Sequence, residues 1–217
     1  MSYETVSERR KRSLDGLLTD TSDIIELDES DCVEYFNTLI LDDLKKKIPD
    51  LNCWIAGGAI RDFFIHGRPL NDIDIYFPDP MEFAKLRKFL SQSSGIIYQN
   101  INCQKYHFYR ENSDIHAIVD GVVHQYPIVV DLIRIHSISP EVTISNFDFT
   151  ICSAAIHNNR FICHRNFRED ISERKLSPIN PNPQSIFYRF QKFNKLGFTM
   201  SSEDIKILTE KYIKNAT

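Results

Sequence analysis

Two aspartates one residue apart, Asp72 and Asp74, stand in the run Asn71-Asp72-Ile73-Asp74-Ile75-Tyr76-Phe77. Side chains alternate along a strand, so both carboxylates fall on one face and Ile73 and Ile75 on the other. Two such charges repel unless a cation lies between them, and a hard ion such as Mg²⁺ takes oxygen ligands in that arrangement. Upstream lies the pair Gly57-Gly58. Paired glycines let a backbone approach a ligand closely. The start of a following helix offers free N–H groups and a positive dipole end, which suits phosphate. Downstream, Asp131 is the only acid in the apolar run 127–135. A buried carboxylate with no partner costs roughly several kcal/mol. The cation already held by Asp72 and Asp74 is one partner for it, and a nearby arginine such as Arg61 is the other.

These residues need elements to hold them. Trp54-Ile55-Ala56 is a short apolar strand that stops at the glycines, and Ile60, Phe63 and Phe64 then recur at helical spacing. Residues 127–135 are apolar on both faces, as expected of a central strand covered on each side. Val33, Phe36, Leu39, Ile40 and Leu44 predict a helix over 31–47, and Phe83, Leu86 and Leu90 another over 82–90. Strands are expected at 95–101 and 106–110. Asp120-Gly121 and Asn158-Asn159 mark hairpin turns, the second within a hairpin over 151–164. The chain reads as a polar N-terminal arm over 1–30, a domain over 31–177, and a helical segment over 178–217.

The ordered set Gly57-Gly58-Ala59-Ile60-Arg61-Asp62, then Gly67-Arg68, then Asp72-Ile73-Asp74 resembles the DNA polymerase β-like nucleotidyltransferase superfamily. The resemblance is closest to the head and neck of class II CCA-adding enzymes and bacterial poly(A) polymerases. It implies an α+β fold, a mixed sheet flanked by helices with a short helical neck. It also implies two Mg²⁺ ions (Mn²⁺ as a substitute) roughly 4 Å apart, held by Asp72, Asp74 and Asp131 as the catalytic carboxylates. Nucleotide binding is then expected at Gly57, Gly58, Arg61, Arg134, Asp148 and Arg189. Asn146-Phe147-Asp148-Phe149-Thr150-Ile151 is similar to the family's Arg-Arg-Asp-Phe-Thr-Ile element, in which the Asp contacts the ribose. Here Asn146 and Phe147 replace both arginines, and Asp148 is also the rival to Asp131 for the third metal ligand. The run from Ile186 to Phe198 resembles the neck helix. The family's base-reading acids and arginine fall on Asn182, Pro183 and Ile186, and only Arg189 keeps the later arginine.

Composition limits the alternatives. A 217-residue chain with fifteen Phe and nine Tyr can build a sizeable core, and a net charge of −4 excludes a general polycation. Five scattered cysteines without a C-x-x-C pair fit reduced core thiols better than a disulfide framework or a zinc site. With no apolar run long enough for a membrane and no signal-like start, a cytoplasmic location is expected. The leading function is transfer of NMP from an NTP to an RNA 3′ end, with tRNA as one candidate and pyrophosphate released. The alternatives are transfer to a protein or small molecule, and a non-catalytic nucleotide-binding module.

Overall fold

The computed structural model describes residues 20–93, 95–108, 116–119, 122–125, 128–180 and 186–214. It is an α+β structure built on one eight-stranded mixed sheet with helices packed on it. The strands of that sheet are β1 (Ile24–Leu27), β2 (Trp54–Ala56), β3 (Ile73–Tyr76), β4 (Ile96–Gln99), β5 (Cys103–Phe108), β8 (Ile128–Ile133), β9 (Ala154–His157) and β10 (Arg160–His164). Their order is β1-β10-β9-β2-β3-β8-β5-β4; β6 (His116–Val119) and β7 (Val122–Gln125) form a separate hairpin. Asp120-Gly121, between β6 and β7, lies outside the described residues, as do Asn182 and Pro183.

Seven strand pairings join the large sheet, and only β3 with β8 is parallel. That pairing sets Asp74 directly beside Asp131. Chain direction follows from the connections. A tight turn at Asn158-Asn159, both with positive φ (49° and 62°), reverses β9 into β10. Asparagine tolerates that conformation better than other residues with side chains, which is why the pair was readable as a turn.

The main core lies between one sheet face and the helices. α1 (Ser30–Phe36) and α2 (Asp42–Lys47) are joined by a π-helical turn, Asn37–Leu41, so the helix expected over 31–47 is present with one wide turn inside it. Val33, Phe36, Leu39, Ile40 and Leu44 are all buried there, together with Phe83, Leu86 and Leu90 of α4 (Pro80–Ser93). A smaller cluster of Trp54, Ala56, Ile144, Ala155 and Ile162 covers the opposite face. The Trp54 indole N–H donates to Thr143 Oγ1 at 3.1 Å from the short helix α5 (Pro140–Ser145), so its polar edge is satisfied inside that cluster.

Two stretches differ from the sequence reading. Ile24–Leu27, within the segment read as a polar arm, is an edge strand paired with β10. A four-residue strand of Ile-Ile-Glu-Leu carries too short a pattern to show itself, and it gains its hydrogen bonds from a partner far along the chain. The hairpin expected over 151–164 starts at Ala154, because Thr150–Cys152 form a 3₁₀ turn. The five cysteines are free thiols, four of them buried, as their scatter suggested. Among the described residues no helix is long and apolar enough to cross a membrane.

Candidate active site

The site forms where β2 ends and the chain turns into α3 (Gly58–His66). Gly57 makes that turn with φ 92° and ψ −134°, a conformation that side chains strongly disfavour. Its N–H is held by the Ala154 carbonyl at 3.0 Å, which pins the turn to β9. A Cβ at Gly57 would stand 3.7 Å from Asp74 Oδ2 and from the Phe147 ring. The glycine turn, the Asp74 carboxylate and the Phe147 ring therefore meet at one point. Phe147, which replaces an arginine of the CCA element, packs on Tyr76 with ring centroids 5.9 Å apart.

A cleft of about 450 Å³ opens there, lined by Gly57, Gly58, Arg61, Asp72, Asp74, Asn146, Phe147, Asp148 and Arg189 among others. Seven of the nine expected site residues are thus brought together. Asp131 lies on the neighbouring strand beside Asp74 and is 6% exposed. Arg134 follows β8 and is not among the described residues lining the cleft. Strand alternation and the turn after β8 carry it away from the carboxylates.

The carboxylates are joined by a residue that the sequence reading passed over. Lys105 on β5 stands across from Asp131 in the antiparallel β5–β8 register. Its ammonium hydrogen-bonds to Asp72 and lies 3.2 Å from Asp131 Oδ2. Neither partner anticipated for Asp131 is the one observed: Arg61 points elsewhere, and Lys105 balances the charge. Only the pairing of β5 with β8 reveals this, since nothing local to Lys105 points to strand β3 or β8.

Electrostatics follow the geometry. Burial and the adjacent Asp72 and Asp131 charges push the Asp74 carboxyl up to about 7. Burial also raises Asp131, with Lys105 acting against it. Burial would raise Asp72 as well, but the Lys105 hydrogen bond and charge outweigh it and hold that carboxyl below its ordinary range. Asp131 Oδ1 is buried without a hydrogen-bond partner.

Among the described residues, no three carboxylate, thiol or imidazole groups stand close enough to hold a metal ion as arranged. The donor chemistry still fits a hard cation. Three carboxylates on adjacent strand positions repel one another, as the raised Asp74 records, and Asp131 presents an unsatisfied oxygen.

Two arginines take structural places. Arg61 is 4% exposed; its Nε and Nη2 donate to Asp62 at 3.0 and 2.6 Å, and Nη1 donates to Cys152 Sγ at 3.4 Å. It also lies over the Phe193 ring, 5.1 Å from its centroid. The guanidinium fork expected to clamp phosphate is therefore committed to its own helix and to the helix α7 (Ile186–Lys195). Arg189 on α7 pairs with Asp148. Asp148 is held in place by its own backbone, whose carbonyl accepts from Ile179 N at 2.8 Å. Ile186, one of the positions where the neck would read the base, is 4% exposed in the core.

Comparison with solved structures shows the same fold. A CCA-adding enzyme in apo form matches with a TM-score of 0.56 at 15% identity, over 89% of this chain and 50% of that one. A CCA-adding enzyme in complex with CTP matches with a TM-score of 0.54 at 15% identity, over 90% and 49%. The Thermotoga maritima CCA-adding enzyme complexed with tRNA matches with a TM-score of 0.53 at 15% identity, over 89% and 48%. The chain spans about half the length of these structures. No curated protein sequence matches it. The polymerase β-like nucleotidyltransferase fold expected from the glycine and aspartate motifs is the one observed. Residues 27–174, which carry the glycine turn, the three carboxylates, Lys105 and Asp148, match the family model described as Gad2, Gabija anti-defense 2 family protein, and by that span the chain belongs to this family.

Proposed function

We propose that this protein is a Mg²⁺-dependent nucleotidyltransferase that moves NMP from an NTP to the 3′ hydroxyl of an RNA and releases pyrophosphate. The observation that carries the reading is the parallel register of Asp74 and Asp131 beside a glycine turn that opens a helix. That arrangement sets anionic ligands for a cation next to N–H donors for a phosphate.

The residues divide the work by position. Gly57 and the free N–H groups of the first turn of α3 face the cleft and receive the triphosphate. Asp72, Asp74 and Asp131 would hold Mg²⁺. When bound, that ion lowers the pKa of the attacking hydroxyl and offsets the charge of the leaving pyrophosphate. Arg189 and Asp148, paired across the mouth of the cleft, stand where a ribose and its phosphates would contact them. Arg61 keeps α3 and α7 in register through Asp62 and Phe193 and so acts on the site as a positioning residue.

The family description names Gabija anti-defense, which places the transfer in a counter-defense setting. A second reading keeps the chemistry but puts the acceptor hydroxyl on a protein or small molecule of that defense. It is favoured by Ile186, a buried apolar residue where a base-reading side chain would be needed.

Incubation with each α-labelled NTP, Mg²⁺ and either total RNA or a lysate separates the readings. Label on RNA is expected, and its loss in D74N and D131N, both still folded, would place the chemistry at this site. Label on protein instead would move the acceptor to the second reading. No transfer to any acceptor by wild type would refute the enzyme.

A further inference from the structure

The residue that joins the carboxylates is itself a cation. Lys105 bridges Asp72, just before β3, and Asp131 on β8 from a third strand, β5. The placement is built in, because residue 105 is the register partner of Asp131. The two other cationic side chains of the site are occupied: Arg61 by Asp62, and Arg189 by Asp148. Lys105 neutralises only one side of the cluster. Asp131 Oδ2 faces the ammonium, while Asp131 Oδ1 has no hydrogen-bond partner and Asp74 has no salt bridge printed to it by geometry on that side. Three carboxylates against one ammonium leave a net negative charge, enough to draw one divalent ion to the Asp74 side.

We propose that Lys105 occupies one of the two cation positions of the carboxylate site, so that the nucleotide-free protein takes up a single divalent ion. The proposal rests on the metal-dependent reading above. The lysine is a gate as well as a counter-ion. Its side chain is 30% exposed and that of Asp72 28%, so the four-carbon stem has solvent to swing into when a second ion arrives with the triphosphate. An arginine or a buried lysine could not leave so readily. The consequence is ordered loading: one ion binds to the free protein, and the other enters with the nucleotide, whose phosphates give the displaced ammonium a new anionic partner.

Mn²⁺ binding to the full chain, measured by calorimetry and by the loss of the free-ion EPR signal, tests this without reference to transfer. Wild type should bind one Mn²⁺ per chain in the absence of NTP. K105M should bind two, or bind the first roughly tenfold more tightly, because a like charge a few ångströms away has been removed. K105R, which keeps the charge, should behave as wild type. K105Q keeps a hydrogen-bond donor for Asp72 and Asp131 and serves as the second neutral variant should K105M fail to fold. Equal stoichiometry and affinity in wild type, K105M and K105Q would overturn the proposal while leaving the metal site standing. Absence of Mn²⁺ binding in wild type and in the neutral variants alike would remove the metal reading itself.

Discussion

Gly57 and Gly58 are neighbours of one type with opposite expected responses to alanine. Gly57 has φ 92° and ψ −134°, whereas Gly58 opens α3 and has no positive φ. Space does not distinguish them. The added Cβ would meet Asp74 Oδ2 and Phe147 at 3.7 Å in one case and Arg61 Nη2 at 3.5 Å in the other, all ordinary contacts. The difference is backbone strain. An L-residue held in a glycine-only region costs about 1–3 kcal/mol. A helical Gly→Ala change without strain gains about 0.4–1 kcal/mol, mostly by restricting the unfolded chain. Taking about 2 kcal/mol for Gly57, and about 2–4 °C per kcal/mol for a chain of this size, G57A should melt about 4–8 °C below wild type. G58A should melt at or slightly above it. Thermal melts by circular dichroism, supported by urea midpoints, read both. If G57A melts with wild type, or if the two variants lose the same amount, the turn geometry does not carry the strain assigned to it. Any loss of transfer by G58A at undiminished stability would then report on phosphate access at the helix start.

Other outcomes follow from the same structure. R61M should lose about 3–5 kcal/mol in urea unfolding, because Asp62 is left as a buried, unpaired charge. R61M/D62N should recover part of that loss, and a cost below about 1 kcal/mol for R61M would mean the pair is not buried in solution. His164 responds to pH. Burial holds its imidazole below the ordinary 6.5, and Asn166 N–H donates to its Nδ1 at 3.1 Å, which only the neutral ring accepts. The folded pKa therefore lies below the unfolded one, so this contribution to stability is present above pH 6.5 and is lost as pH falls toward the folded value. Melts of wild type and H164Q across that range should show the difference shifting in favour of H164Q on acidification; a pH-independent difference would contradict it. T143V removes the acceptor of the buried Trp54 N–H and should cost about 1–3 kcal/mol, read from the urea midpoint.

Much of the site was written in the residues themselves, and the reason is locality. The stretch from Trp54 to Phe77 carries its apolar strand, glycine turn, helical spacing and alternating aspartates within one contiguous run. Each of those signals depends on neighbours a few residues away. The Asn158-Asn159 turn and the buried faces of the first helices were legible for the same reason. The resemblance to nucleotidyltransferases rested on that run, and the fold agrees with it.

What the tertiary structure alone decided are the pairings between distant segments. The neighbour of Asp74 is set by the parallel β3–β8 register, and the lysine in the carboxylate cluster by the β5–β8 register. Asp148 meets Arg189 only because α7 docks against the segment after α5. Arg61, whose sequence context suited a phosphate clamp, is turned inward by Asp62, Cys152 and Phe193. Residue types set which faces are buried and where the chain turns. Which strand lies beside which, and so which charge faces which, follows from packing the whole sheet against its helices, and a one-residue slip in any register would exchange those partners for the side chains of the other face.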